Sequence, residues 1–319
     1  MNISVLGCGR WGSFLAWYNA RNGHTVINYG RENSPSYQQL KIEGKNKWVA
    51  LDERITLSSD LQHSVESADI IIIAISSQEL RSFFSEIVKF SYKDKIFVLC
   101  MKGIEAKTGK RLSEVAIESG IANDKVAVWL GPGHIQEFIK GKPNAMVIDS
   151  HSRELNNQLI EVFKSDLIRF YIGSDIIGTE IGAATKNIMG LIAGGLDGMG
   201  LATMKGALMS RGAREVARLI GALGGNELSA YGLCHLGDYE TTLFSEHSHN
   251  RKFGEAMVKG EKFTHLAEGV ATAHATLALA KSVGVDVPLT SAVADIMNGA
   301  SPKEVMERMF ARDIKTEFE

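Results

Sequence analysis

The chain has 319 residues, of which 45% are hydrophobic and 23% charged, a composition that excludes a disordered or fibrous protein. Its 35 Lys and Arg residues nearly balance its 37 Asp and Glu residues. The formal net charge of −2 therefore offers no basic surface for nucleic acid or an anionic membrane. Three widely spaced cysteines, Cys8, Cys100 and Cys234, indicate reduced thiols and no disulfide or metal site. The chain starts directly in a strand pattern and has no apolar stretch long enough to span a bilayer, so we expect a cytoplasmic protein.

Strand patterns alternate with amphipathic helical patterns up to about residue 173. Several of the strand candidates are continuous apolar runs, which is typical of strands covered on both faces. The alternation indicates an α/β fold with a doubly wound, mostly parallel sheet, and we assign it to residues 1–174. The predicted strands are 3–6, 25–29, 69–75, 95–100, 125–130, 145–149 and 168–172, and the predicted helices between them include 78–90, 109–119 and 152–164.

The second half of the chain has a different pattern, because almost no strand-like run follows residue 174. Ala-, Gly- and Leu-rich segments with helical spacing replace the strands, so residues 175–319 are predicted to form an all-α domain. The predicted helices are 177–198, 205–223, 268–283, 289–298 and a short final helix from Pro302.

The turn after the first strand, "VLGCGRWGS", has the spacing G-x-G-x-x-G, formed by Gly7, Gly9 and Gly12. In a Rossmann-type fold the first glycine permits the tight turn and the second lets a pyrophosphate approach the backbone. The third permits close packing of strand and helix, and the helix N–H groups meet the phosphate charge. Because the motif follows a strand and opens a helix, it predicts a dinucleotide site.

The end of the second strand bears on the choice between NAD and NADP. An acidic side chain there accepts hydrogen bonds from the ribose hydroxyls of NAD, whereas an arginine pairs with the 2′-phosphate of NADP. The chain has both, Arg31 followed by Glu32, and either one can also be a solvated loop charge. The sequence therefore leaves the nicotinamide cofactor open.

Lys186 lies in the middle of "EIGAATKNIMGLIAGG", an otherwise apolar helical segment. One interpretation is a lysine whose stem covers apolar surface while its ammonium reaches water. The other is an ammonium held in a cleft, where burial and neighbours tune it for proton transfer. The segment alone does not decide between the two.

Eight segments of the chain carry recognisable motifs, in the order "GCGRWGS", "MKGIEAKTGKRLSEV", "LGPGHIQEFIKGKP", "EIGAATKNIMGLIAGGLDGMG", "SRGAREVARLIGALGG", "LGDYETT", "SHNRKFGE" and "MERMFARDIKTE". In this order and spacing they resemble the bacterial NAD(P)-dependent glycerol-3-phosphate dehydrogenases, and the resemblance covers roughly residues 3 to 317. The resemblance implies a helical domain like the C-terminal domain of 6-phosphogluconate dehydrogenase and reversible reduction of dihydroxyacetone phosphate to sn-glycerol 3-phosphate. It also implies a homodimer that supplies glycerophospholipid synthesis.

The resemblance also implies roles for individual residues. Lys186 matches the catalytic lysine, with Asn187 as a neighbouring donor, Lys102 as a second lysine and Asp238 as the acid that orients Lys186. Without the resemblance, Lys102 reads as an exposed loop lysine and Asp238 as a helix cap. The implied substrate-binding residues are Lys102, Gly131, Gly133, Thr242, Ser248, His249 and Asn250. The implied cofactor-binding residues are Gly7, Gly9, Arg10, Trp11, Gly12, Arg31, Lys102, Ile135, His249 and Glu268.

Two segments depart from the family pattern. The loop "LGPGHIQEF" ordinarily reads S-G-P-(S/T)-F-A, so Gly133 stands where the family has a hydroxyl residue. His249 stands where the family has the arginine that grips the substrate phosphate, and a neutral histidine offers one donor in place of a charged fork. These departures leave open a related dehydrogenase for another small oxo acid or phosphorylated ketone. A further alternative is a catalytically silent dinucleotide-binding protein, against which the joint presence of Lys102, Lys186, Asn187 and Asp238 argues.

Overall fold

A computed structural model describes residues 1–264, 267–314 and 316–317. The chain divides into two compact units, Met1–Lys102 with Leu112–Ile176, and Gly103–Arg111 with Ile177–Glu319. The chain passes into the second unit for the last time after Ile176, two residues after the domain boundary proposed from the sequence at 174/175. The short excursion of Gly103–Arg111 into the second unit was not predicted.

The first unit is built on one eight-stranded sheet with the order β3-β2-β1-β4-β5-β6-β7-β8. The strands are β1 (Asn2–Leu6), β2 (Thr25–Tyr29), β3 (Ile55–Ser58), β4 (Ile70–Ile73), β5 (Ile96–Leu99), β6 (Val126–Leu130), β7 (Asn144–Ser150) and β8 (Ile168–Ile172). Every pairing is parallel except that of β6 with β7. All seven predicted strands are present, whereas β3 was missed because this short edge strand buries only Ile55 fully.

The first unit contains seven α-helices, and eight of the twelve residues of the helix that opens at the glycine motif are buried. Its residues Phe14 and Tyr18 are fully buried and join an aromatic core with Trp129, Phe138 and Phe163. This core fixes the helix against the sheet and holds the turn before it in place. The helices are α1 (Arg10–Arg21), α2 (Pro35–Glu43), α3 (Leu61–Glu66), α4 (Leu80–Ile87), α5 (Leu112–Glu118), α6 (Ile135–Phe138) and α7 (Arg153–Phe163).

The second unit is helical and contains no β-strand among its described residues, as predicted. The helices are α8 (Ile176–Gly198), α9 (Lys205–Ala222), α10 (His249–Lys259), α11 (Glu268–Ser282), α12 (Pro288–Met297) and α13 (Pro302–Phe310). A π-helical turn, Glu240–Phe244, follows a 3₁₀ turn at Leu236–Asp238. Helix α10 was not predicted, although Ser248 caps its start and Gly260 ends it in the left-handed conformation.

The glycines of α8 allow two helix backbones to touch. A Cβ at Gly194 would lie 1.8 Å from the carbonyl oxygen of Arg251, and a Cβ at Gly254 would lie 2.0 Å from that of Leu191. No larger residue fits at this crossing of α8 and α10 without moving one helix. The crossing therefore fixes the start of α10 relative to the middle of α8, where Lys186 lies.

The described residues were also searched for membrane-spanning helices and for metal sites. None of their helices is both long and apolar enough to cross a membrane. They contain no group of three or more His, Cys, Asp or Glu side chains placed to hold a metal ion. All three cysteines are buried free thiols.

Candidate active site

The turn between β1 and α1 requires glycine at two of its three motif positions. Gly7 has φ +118°, and a Cβ there would lie 2.3 Å from the carbonyl oxygen of Ala74. A Cβ at Gly12 would lie 1.8 Å from the carbonyl oxygen of Gly7. These two glycines are therefore needed for the turn itself and for the close packing of α1 against it.

Gly9 is different, because a Cβ built on it meets nothing within 4 Å. It occupies the N-cap position of α1 and, as a glycine, provides no side-chain cap for that helix. Gly9 also lines a cavity of about 680 Å³ together with Gly7, Arg31 and Ser34. A space beside an uncapped helix N-terminus fits the pyrophosphate of a dinucleotide, so the residues present suit the cofactor.

The two charged residues after β2 point to different neighbours. Arg31 lines the cavity, and its Nη2 lies 3.2 Å from Oε2 of Glu79, which also lines it. The carboxylate of Glu32 lies 3.4 Å from Nζ of Lys41, and Glu32 is not among the residues that line the cavity. Arg31 is therefore the residue of the pair that borders the predicted cofactor space.

Three other residues predicted to bind cofactor have their side chains committed to packing. Arg10 stacks over the ring of Trp48 at 5.3 Å and donates to Oε1 of Gln136 at 3.0 Å, and burial lowers its pKa. Trp11 packs on Phe14, with 5.1 Å between ring centroids, and the side chain of Ile135 is buried in the core. Contacts of these residues to a cofactor would thus come mainly from the backbone.

Lys102 and Gly131, both predicted to bind substrate, are in direct contact. Nζ of the half-buried Lys102 donates to the carbonyl oxygen of Gly131 at 2.7 Å. Gly131 has φ +133°, a conformation that L side chains rarely adopt. The structure thus places an ammonium at the loop of residues 130–135, and it does not bear out an exposed loop lysine.

Lys186 is buried, with 8% of the residue exposed. Its Nζ lies 3.0 Å from Oδ2 of Asp238 and donates to Oγ1 of Thr242 at 2.8 Å. The burial of Lys186 contradicts the solvent-exposed lysine. Asp238 is fully buried and ends its 3₁₀ turn, and the N-cap residues of this turn and of the π-helical turn after it are His235 and Tyr239, so Asp238 is not a simple helix cap. A carboxylate this close favours the charged form of the ammonium, which burial alone disfavours.

The π-helical turn brings Thr242 to Lys186. The Thr242 hydroxyl accepts from Lys186 and donates to the backbone carbonyl oxygen of Asp238 at 2.7 Å. The hydroxyl of Thr241 donates to Oδ1 of Asp238, the second oxygen of the carboxylate whose Oδ2 lies against Lys186. Thr241 was missed in the sequence, where its only signal was its position beside Thr242. Asn187 lies next to Lys186 and is 5% exposed.

The remaining predicted residues gather at the starts of α10 and α11. Ser248 accepts from the backbone N–H of Arg251 as the cap of α10, and His249 is the exposed first residue of that helix. Oδ1 of Asn250 accepts from the backbone N–H of Gly269 at 2.9 Å, next to Glu268 at the start of α11. Two predicted substrate ligands, Ser248 and Asn250, therefore already hold the backbone around this helix start.

Known proteins resemble the chain over its whole length. Residues 2–156 match the family described as NAD-dependent glycerol-3-phosphate dehydrogenase N-terminus, and residues 175–307 match the corresponding C-terminus. A relative named glycerol-3-phosphate dehydrogenase [NAD(P)+] from Pelodictyon phaeoclathratiforme is 36% identical, with 99% of each chain covered. One of the same name from Exiguobacterium sp. is 33% identical over 100% of this chain and 97% of its own. The crystal structure of glycerol-3-phosphate dehydrogenase from Coxiella burnetii is similar with a TM-score of 0.89, at 27% identity over 98% of this chain and 99% of its own.

Proposed function

This chain belongs to the NAD-dependent glycerol-3-phosphate dehydrogenase family, and from that premise we propose that it catalyses the reversible reduction of dihydroxyacetone phosphate to sn-glycerol 3-phosphate. One observation carries the proposal beyond family membership. A buried ammonium, that of Lys186, is held by a fully buried carboxylate and a threonine hydroxyl. A protein that only binds a dinucleotide has no use for such a costly arrangement.

The chain's own residues supply the proton chemistry. The ammonium of Lys186 gives a proton to the C2 carbonyl oxygen of the substrate during reduction and recovers it during oxidation. Because negative charge develops on that oxygen in the transition state, an oriented cation lowers the barrier more than it tightens substrate binding. Asp238 holds the ammonium charged and Thr242 fixes its direction. A bound nicotinamide supplies or accepts the hydride.

The first unit is the proposed dinucleotide-binding domain. Gly9 and the N-terminus of α1 would hold the pyrophosphate, and Arg31 would meet the adenosine ribose, including the 2′-phosphate of NADPH. Arg10, Trp11 and Ile135 would contribute backbone contacts, and Lys102 would approach both cofactor and substrate. Both nicotinamides remain candidates.

The second unit is the proposed substrate domain. The start of α10, with Ser248, His249 and Asn250, would receive the substrate phosphate, helped by the positive end of the helix dipole. Glu268 would lie near the cofactor. We further propose a cytoplasmic homodimer whose product enters glycerophospholipid synthesis.

Initial rates of dihydroxyacetone phosphate reduction, measured with NADH and NADPH in parallel, test the activity. The proposal requires turnover with at least one of them and oxidation of glycerol 3-phosphate in the reverse direction. Absence of both reactions in protein that binds a dinucleotide would contradict it. Because His249 replaces the family's phosphate-gripping arginine, other phosphorylated ketones and small oxo acids would then be screened.

A further inference from the structure

A buried histidine and tyrosine flank the carboxylate that holds Lys186. His235 and Tyr239 are both fully buried, and one turn separates them, with Asp238 between them. Nδ1 of His235 lies 2.8 Å from the carbonyl oxygen of Gly182, and Nε2 lies 2.6 Å from the hydroxyl of Tyr239. Gly182 precedes Lys186 by four residues on α8, so the two lie on the same face of that helix.

The partners of His235 fix its tautomer. A carbonyl oxygen only accepts hydrogen bonds, so Nδ1 carries the proton and donates to Gly182. Nε2 is then the acceptor for the hydroxyl of Tyr239. Both ring nitrogens are thus used by a neutral imidazole. Burial lowers the pKa of His235 to about 4, which agrees with a neutral ring.

The packing leaves the pair little freedom. A Cβ at Gly182 would lie 3.0 Å from Cβ of His235, and a Cβ at Gly212 of α9 would lie 3.0 Å from the hydroxyl oxygen of Tyr239. The segment of residues 235–242 is therefore joined to α8 twice on one face. One link is His235 to Gly182, and the other is Asp238 with Thr242 to Lys186 one turn further on.

We propose that His235 and Tyr239 are positioning residues that hold the carboxylate of Asp238 against the ammonium of Lys186. They touch neither substrate nor cofactor and act through Asp238. The catalytic part of this inference rests on the proposed function. The geometric part does not, because the charge of Lys186 can be measured without any substrate.

A neutral histidine suits this place for an electrostatic reason. The charged groups around the pair are Lys186 and Asp238, which act on His235, and Glu215 of α9, which acts on Tyr239. An imidazolium would compete with Lys186 for Asp238. It would also have two donor nitrogens and could no longer accept from Tyr239. The pair thus holds the turn without adding charge to the site.

The test compares Tyr239→Phe with Asp238→Asn, the double variant and a matched control. Tyr18→Phe is the control, because the Tyr18 hydroxyl is also fully buried and donates at 2.6 Å, to the carbonyl oxygen of Phe163 in the first unit. Thermal unfolding curves show which variants are folded, and only folded variants are titrated. If Tyr239→Phe does not fold, His235→Gln replaces it. The titration of Lys186 is followed by NMR of ¹³C-labelled lysine, assigned with Lys186→Met.

In Tyr239→Phe we expect Lys186 to titrate at lower pH, in the same direction as in Asp238→Asn, because the ammonium loses its carboxylate partner. Tyr18→Phe is expected to leave this titration unchanged. The kcat of Tyr239→Phe should fall by up to about 10²-fold, the cost of a misplacement of about 1 Å, while dinucleotide affinity is retained. The double variant should be no slower than Asp238→Asn, because both changes act through one contact.

A wild-type titration of Lys186 in Tyr239→Phe would overturn the inference, and so would an unchanged titration in Asp238→Asn. Additive losses of kcat in the double variant would also count against it. A wild-type protein that lacks dehydrogenase activity would contradict the proposed function. In that event the NMR titration would still decide whether the pair positions Asp238.

Discussion

The ring of Phe138 lies where a side chain on Gly133 would have to begin. A Cβ built on Gly133 would be 2.4 Å from Cε2 of Phe138, and that ring stacks on Phe14 with 5.1 Å between centroids. The family's hydroxyl residue at this position is therefore excluded by the packing of α6 against α1. The glycine at position 133 and the large aromatic ring at position 138 therefore fit each other.

We expect Gly133→Ser to destabilise the protein unless Phe138 is reduced in size. Overpacking of this kind costs about 1–3 kcal/mol, whereas Phe138→Val alone leaves a cavity. In the double variant the two changes should compensate. Its free energy of unfolding should therefore be higher than the value calculated by subtracting the losses of both single variants from the wild-type value. Urea denaturation of all four proteins measures this. Strict additivity would show that the two side chains do not compete for the same space.

Arg251 pairs with Asp197 at 2.6 Å, and Nζ of Lys205 lies 2.8 Å from the same carboxylate oxygen. The arginine two positions after His249 is therefore already engaged within the helical unit. Because Arg251 is paired with Asp197, it is not held ready at the start of α10 to bind a substrate phosphate.

We predict that His249→Arg lowers the KM for dihydroxyacetone phosphate more than it changes kcat. A charge-assisted hydrogen bond to phosphate contributes roughly 1.5–3 kcal/mol and binds ground state and transition state alike. His247→Arg, two residues earlier and outside α10, adds the same charge and serves as the control. If both variants lower the KM equally, the effect is general electrostatic attraction and not a specific contact at position 249. If His249→Arg does not lower the KM, the result argues against a phosphorylated substrate.

Gly9→Val is predicted to abolish tight dinucleotide binding without unfolding the protein. The space around Gly9 is open and its φ is not positive, so the valine fits the fold but occupies the room required by the pyrophosphate. A binding titration with NADH and NADPH measures the loss. Gly206→Ala, at an equally open position on α9, should bind as wild type does. Retained affinity in Gly9→Val would remove the glycine motif from the cofactor site.

His235 should make the protein less stable as the pH falls. Its pKa is about 4 in the folded chain against 6.5 for an ordinary histidine, so below pH 6.5 the unfolded chain binds a proton that the folded chain does not. Stability from this group is complete above pH 6.5 and declines by up to about 3 kcal/mol as the pH approaches 4. Urea midpoints of the wild type and His235→Gln across this range measure the difference. Equal pH slopes for the two proteins would show that His235 titrates normally.

The strands of the first unit could be predicted because most are short apolar runs, such as "IIII" at β4. Runs of this kind are typical of strands that are covered on both faces of a sheet. The edge strand β3 lacks that signal, since only one of its four residues is fully buried. Helix α10 has few apolar residues, so its caps at Ser248 and Gly260 were its main signal. The excursion of Gly103–Arg111 depends on long-range contacts, including the 2.7 Å ion pair of Arg111 with Glu180, that local pattern does not contain.

The candidate site shows the same division. Lys186 and Asp238 were found only because motif resemblance linked two segments far apart in the sequence, and helical spacing alone left Lys186 ambiguous. The structure resolves that ambiguity by burying both groups in contact. The His235–Tyr239 pair had no sequence signal at all, because a histidine near a glycine-rich turn is ordinarily a loop residue. The role of the pair depends on the hydrogen bond between the His235 ring and the carbonyl oxygen of Gly182, a contact that the sequence does not show.

The most direct measurement is the kcat of Lys186→Ala for dihydroxyacetone phosphate reduction, with Lys186→Met as a variant that preserves side-chain length. Lys95→Met, which removes a lysine whose side chain is 12% exposed in the first unit, is the control. With dinucleotide affinity and folding verified for each protein, the account predicts that both Lys186 variants lose about 10²–10⁴-fold in kcat and that the control does not. A kcat close to wild type in either Lys186 variant would contradict the claim that Lys186 transfers the proton.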